Sequence, residues 1–125
     1  MPSVAILGAS ADRAKFSNKS LRAHAAAGYE VYPVNPRGGQ IEGRAVHASL
    51  SDVPVRRLDR ISVYLPPAVL LGVLSEIAQV GCDELWLNPG TVSPEVIERA
   101  MGLGLAPIEG CSIVDLGMSP SEFGD

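Results

Sequence analysis

Short apolar runs alternate along the chain with segments whose apolar residues recur at helical spacing, which predicts strands joined by helices. Ser3-Val4-Ala5-Ile6-Leu7 reads as a buried strand stopped by Gly8. From about Ser17 to Ala27 the pattern turns helical, with Leu21, Ala25 and Gly28 on one side and Gly28 as the stop. Tyr29 to Val34 is a second strand, in which Pro33 marks an end or an irregularity. Asn35 to Arg44 is a glycine- and proline-rich loop, and a turn follows at Ser51-Asp52-Val53-Pro54.

The second half repeats the scheme. Ile61 to Leu65 is the third strand, and Pro66-Pro67 opens a helix at positions whose amides have no intrahelical partner anyway. Leu70, Val73, Leu74, Ile77 and Ala78 form one helical stripe that Gly81 ends. Glu84 to Leu87 is a fourth strand. Ser93 is an N-cap with Pro94 behind it, and Val96, Ile97, Ala100 and Met101 supply that helix's buried face. Leu105 to Ile108 is a short last strand followed by a polar tail.

Strands separated by helices of this length need right-handed crossovers, hence a parallel sheet with helices on both faces. The prediction is one α/β domain over residues 1–125: a Rossmann-like, doubly wound parallel sheet of about five strands in three layers.

Composition narrows the function classes. Hydrophobic residues make up 46% of the chain, enough for a packed core, while the 5% of aromatics argues against a stacking surface for single-stranded nucleic acid. No apolar run approaches bilayer length, and the start lacks the basic and apolar regions of a secretory leader. Cys82 and Cys111 stand far apart, which suits a reducing cytoplasm better than a disulfide scaffold. Charge is segregated: residues 1–60 hold nine of the ten basic residues against five acidic ones, and residues 61–125 hold one against nine. A localised positive region on an acidic chain favours a compact anionic ligand over a long polyanion.

In doubly wound sheets, ligands lie beyond the carboxyl ends of the strands. The first such loop, Gly8-Ala9-Ser10-Ala11-Asp12-Arg13-Ala14-Lys15-Phe16-Ser17, runs from a strand into a helix, where free amides and the helix dipole favour an anion. Ser10 and Ser17 offer hydroxyls there, Arg13 and Lys15 charge. The dinucleotide fingerprint Gly-x-Gly-x-x-Gly is absent, because Ser10 and Arg13 occupy its second and third glycine positions. After the second strand, in Asn35-Pro36-Arg37, an arginine stands where NAD sites place an acid. Its guanidinium fork suits an extra phosphate on the ribose. Pro66 and Asn88-Pro89-Gly90 lie on two further loops at the same sheet edge.

Gly8-Ala9-Ser10, Gly28-Tyr29-Glu30-Val31-Tyr32-Pro33-Val34-Asn35-Pro36-Arg37, Ile41-Glu42-Gly43 and Ala48-Ser49-Leu50-Ser51-Asp52-Val53-Pro54 together resemble the small bacterial CoA-binding proteins. That family is related to the CoA-binding domain of the succinyl-CoA synthetase alpha subunit. The resemblance spans nearly the whole chain. It implies CoA or acyl-CoA as the ligand, with Gly8 to Arg13 facing its phosphates, Arg37 near its nucleotide, and Asn88-Pro89-Gly90 as another contacting loop. Tyr64-Leu65-Pro66-Pro67 resembles a segment flanking the cofactor, and Cys111 matches a cysteine common near the last strand. Neither His24 nor His47 matches the synthetase's phosphorylated histidine, so ligase activity is not implied.

The expectation is therefore a binding module with no assigned catalytic residue. Its alternatives are an NADP-binding oxidoreductase or redox sensor, and a regulatory subunit of an acyl-CoA ligase. No Cys/His/Asp cluster suggests a metal. Trp86 and Cys111 are read as buried packing residues, and Arg56, Arg57 and Arg60 as a solvated cluster.

Overall fold

In the computed structural model, which describes residues 1–125, β1 (Ser3–Leu7) is the strand from which the chain winds in both directions. It leads through α1 (Phe16–Ala26) to β2 (Glu30–Val34) on one side. The chain then forms a small hairpin, β3 (Gln40–Ile41) and β4 (Arg44–Ala45), and a 3-10 turn at Leu50–Asp52. It crosses to β5 (Leu58–Val63) on the other side of β1. From there α2 (Pro67–Leu71) and α3 (Leu74–Val80) lead to β6 (Cys82–Leu87), and α4 (Pro94–Gly102) leads to β7 (Pro107–Glu109) and α5 (Ser112–Asp115). The sheet order is β2-β1-β5-β6-β7, parallel throughout, as the doubly wound expectation requires.

Both faces of the sheet are covered, which is why its strands read as apolar runs rather than alternations. Ala5 and Leu7 join the larger core with Leu70, Leu74, Ile77, Val96 and Ala100, under α2, α3 and α4. Val4 and Ile6 face the other way and pack with Leu21 of α1 and Val31. Ser93 caps α4 as expected, its Oγ accepting the Val96 amide at 3.2 Å.

Several local expectations are corrected. The stripe from Leu70 to Ala78 is two helices, because the chain tightens into i→i−3 bonds at Gly72 and Val73, a glycine and a β-branched residue that both weaken a helix interior. The predicted loop 35–44 holds most of the β3–β4 hairpin, which is too short to show an apolar period. Met101 is 65% exposed rather than buried, since the α4 stripe facing the sheet narrows to Val96 and Ala100. The polar tail includes α5, whose Ser112 and Ile113 are fully buried.

The largest correction concerns Arg60. It is 7% exposed, not solvated, and lies on the sheet face under α1 and α5. Its Nε pairs with Glu84 Oε1 at 2.9 Å, a terminal nitrogen pairs with Asp115, and the guanidinium rests over the rings of Trp86 and Tyr29. Trp86 is thus buried as expected, but against a cation. Arg57 does stay exposed, paired with Asp83.

His24, also fully buried, sits beside this group with Nδ1 2.8 Å from the Ser20 carbonyl and Nε2 3.5 Å from the Arg60 guanidinium. Burial lowers its pKa from 6.5 to about 4, with Arg60 adding to the shift and the Ser20 carbonyl and Asp115 opposing it. The folded state therefore holds a neutral imidazole, while the unfolded chain takes up a proton first as pH falls. The stabilisation is complete above pH 6.5 and is lost progressively down to about pH 4. Urea unfolding should show about 2 kcal/mol of lost stability between pH 8 and pH 5 from this residue. His24→Gln should flatten that slope; an identical slope in the variant would remove His24 as its source.

Candidate functional site

The turn after β1 is shaped by one glycine. Gly8 has φ 89°, and a Cβ there would lie 3.0 Å from the Tyr64 carbonyl oxygen and 3.0 Å from a Leu65 methyl. The Gly8 and Ala9 amides both donate to the Val34 carbonyl at 3.1 Å, which pins the turn to the end of β2. Asn35 completes the tie. Its Nδ2 donates to the Ala9 carbonyl at 2.8 Å, and its Oδ1 accepts the Arg37 amide at 2.9 Å. One side chain thereby fixes the β1 loop and the β2 loop against each other.

Beyond Ala9 the loop folds on its own polar groups. Ser10 Oγ accepts the Asp12 amide at 3.1 Å, and Asp12 Oδ1 accepts the Ala14 amide at 3.0 Å. Asn18, buried on α1, donates to the Ser10 carbonyl at 2.9 Å. The chain then enters α1 with Lys15 as an N-cap whose side chain makes no capping bond. The amides of Phe16 and Ser17 find no acceptor within the chain, so the positive end of an eleven-residue helix is open.

A cavity of about 540 Å³ opens at this helix end. Its floor is the Gly8-Ala9-Ser10 turn and Asn35; Lys15 and Arg37 bring positive charge, and Ser10 and Ser17 are its hydroxyl residues. Phe16 and Tyr64 supply aromatic surface, Phe16 being 59% exposed. Two cations, open amides and hydroxyls over a glycine turn are the elements of a phosphate site, and the aromatic edges suit a planar or aliphatic neighbour of that phosphate.

Of the residues expected from sequence, Gly8, Ala9, Ser10, Lys15, Ser17, Asn35 and Arg37 line this one cavity. Ala11, Asp12 and Arg13 form the exposed outer arm of the loop, and Arg13 Nε pairs with Glu42 at 3.4 Å. Pro36 is an exposed turn residue, Pro66 is the N-cap of α2, and Pro89 and Gly90 are exposed on the loop after β6. None of these forms the cavity wall. Asn88 is 1% exposed, and both ends of its amide are used inside the chain. Nδ2 donates to Ser62 Oγ and the Val63 carbonyl at 2.9 Å, while Oδ1 accepts from the Ser112 amide at 2.9 Å and the Ser112 hydroxyl at 3.0 Å.

Sequence reasoning placed Tyr64 only within a segment flanking the cofactor and left Phe16 out of the site. Tyr64 directly follows β5, at the strand end where such sites form, which was a usable signal. Its phenol lies 3.4 Å from Ser112 Oγ, and burial raises its pKa. Phe16 carried only the weaker signal of an apolar residue at an exposed helix start.

A family model described as a CoA binding domain matches residues 2–117. The chain belongs to that CoA-binding domain family. Among solved structures, this CoA-binding domain is similar to a conserved hypothetical protein from Pyrococcus furiosus, with 32% identity and a TM-score of 0.82, covering 92% of this chain and 99% of that one. A protein from Thermus thermophilus matches at 30% identity and a TM-score of 0.83, covering 91% of this chain and 87% of that one. The CoA-binding domain is also similar to part of a dinucleotide-forming acetyl-coenzyme A synthetase from Ca. Korarchaeum cryptofilum, in a structure with phosphate and ADP. There the identity is 25% and the TM-score 0.72, over 85% of this chain and 25% of the synthetase. The resemblance to CoA-binding proteins drawn from the Gly8 turn and the Val34-Asn35-Pro36-Arg37 segment is thereby confirmed at the level of family and fold.

The CoA-binding domain has no helix long and apolar enough to cross a membrane. Cys82 and Cys111 are both free thiols, half-buried rather than fully buried, and burial pushes Cys82 up to about 11. Cys111 occupies the N-cap position of α5.

Proposed function

We propose that this domain holds CoA or an acyl-CoA by its nucleotide phosphates, acting as a binding module. The observation that carries this reading is the open amino end of α1 sharing one cavity wall with Lys15 and Arg37. The diphosphate would take the Phe16 and Ser17 amides with Ser10 and Lys15. Arg37 would take the phosphate on the ribose, by a charge-assisted fork. The loops carrying Pro66 and Asn88-Pro89-Gly90 lie on the pantetheine side in this proposal, with Asn88 acting through its backbone and its buried clamp. The likeness to one quarter of a larger synthetase supports a second role, in which the nucleotide-bearing face is presented to a partner ligase.

Thermal unfolding in the presence of CoA, dephospho-CoA, NADP, NAD and ADP tests the ligand. A ligand at about 100 times its Kd adds about 2.7 kcal/mol of stability, a shift that is easily seen. CoA is expected to stabilise most. Stabilisation by NADP and not by CoA would overturn the proposal in favour of a redox domain. Arg37→Ala should weaken CoA about tenfold or more and dephospho-CoA hardly at all; equal losses would take Arg37 away from the ribose phosphate.

A further inference from the structure

Arg13 belongs to the phosphate loop yet does not face the cavity, and the reason is on the hairpin. The β3–β4 turn places Glu42 at φ 49°, a left-handed conformation that a residue with a side chain adopts at a cost. From there the carboxylate reaches back to the first loop. Its Oε2 lies 3.4 Å from Arg13 Nε and accepts from Asn18 Nδ2 at 3.3 Å. The same Asn18 amide donates to the Ser10 carbonyl. Glu42 thus touches the loop at Arg13 and α1 at Asn18, and its side chain is only 24% exposed while that of Arg13 is 49% exposed. The two contacts differ in kind. The bond to Asn18 joins buried structure, whereas the pair with Arg13 is a long, half-solvated ion pair of the sort that exchanges partners readily.

We propose that Glu42 is a positioning residue that holds Arg13 in reserve, and that the diphosphate of the ligand draws Arg13 off Glu42 into a third cationic contact beside Lys15 and Arg37. This rests on the CoA-binding reading above. The ion pair supplies the opposing force: every ligand must exchange Arg13 from a carboxylate to a phosphate before gaining its charge. A dianionic diphosphate repays that exchange, because it accepts the guanidinium fork as a carboxylate does and brings two negative charges where Glu42 brings one. A single carboxylate only repeats what Glu42 already gives Arg13, so it repays the exchange less well. Glu42 therefore acts as a filter for phosphate-bearing ligands over carboxylates.

The test is a double-mutant cycle read by calorimetric titration with CoA, using wild type, Glu42→Gln, Arg13→Ala and the double variant. Glutamine keeps an acceptor for Asn18 and removes the charge that holds Arg13. Glu42→Gln is expected to tighten CoA by about two- to fivefold, the range an exposed ion pair spans. Its affinity should also fall more steeply with added salt, since Arg13 is then free in the apo state. The gain should vanish in the double variant. Unchanged or weaker binding by Glu42→Gln, or a gain that survives without Arg13, overturns the proposal. If wild type itself fails to bind CoA, the functional reading has failed instead. Circular dichroism and thermal midpoints of each variant separate both results from a loss of fold.

Discussion

Gly8→Val is expected to abolish measurable CoA binding and to cost about 3 kcal/mol of stability. The positive φ accounts for roughly 1–2 kcal/mol, because a β-branched side chain is strained in that region. The rest comes from overlap. The new Cβ would stand 3.0 Å from the Tyr64 carbonyl oxygen, a backbone atom at the end of β5 that cannot swing aside. Relief would require the turn to lift, and the turn is held by the paired Gly8 and Ala9 amides on the Val34 carbonyl. Lifting it moves Ser10 away from Lys15 and Arg37, so binding fails more completely than folding does. Gly8→Ala gives the milder form in a protein that still folds. Calorimetric titration with CoA together with urea unfolding checks both halves. A valine variant that binds like wild type would show that the close approach of this turn to Tyr64 is not needed.

The second large effect is expected at Asn88. Four hydrogen bonds from one buried amide join the end of β6 to β5 and to the first turn of α5. Asn88→Ala removes all of them and leaves the Ser112 amide and the Val63 carbonyl buried without those partners. At about 1 kcal/mol per bond the expected loss is about 4 kcal/mol. Asn88→Asp keeps the acceptor for Ser112 but turns the donor toward Ser62 and Val63 into a second acceptor, and should lose a comparable amount. Chemical unfolding measures both. A loss below about 1 kcal/mol in the alanine variant would mean that water replaces the amide fully. The clamp also bears on the cavity, because Ser112 lies beside the Tyr64 phenol. Surviving Asn88→Ala protein should therefore bind CoA more weakly, although Asn88 forms no part of the cavity wall.

These two residues show how differently the chain exposed its site to reading. Gly8 was legible because a glycine between an apolar strand and a helix has a local cause, the sharp turn, and a local consequence, the open helix end. Asn35 and Arg37 were legible for the same reason, lying at the end of the next strand. Asn88 was legible in place but not in task. Its position after β6 put it at the right sheet edge, but its partners Ser62 and Ser112 lie on other elements. Arg13 was expected beside phosphate, and only the hairpin, two residues per strand and without apolar period, shows what holds it elsewhere.

The sequence by itself determined the five strands of the main sheet, their parallel winding and the glycine turn after β1, since each follows from spacing and from residues a few positions apart. Tertiary structure alone decided which polar side chains are free. Arg60 reads as solvated beside Arg57 and Asp59, yet it is buried because Asp115, 55 positions away, and Glu84 of the neighbouring strand neutralise it between aromatic rings. Glu42 likewise meets Asn18 from 24 positions away. Apolar periodicity reports which face of an element is inside. It carries no information on which charge will stand opposite another, because that depends on how separate elements pack, and burial then multiplies the strength of whatever pair results.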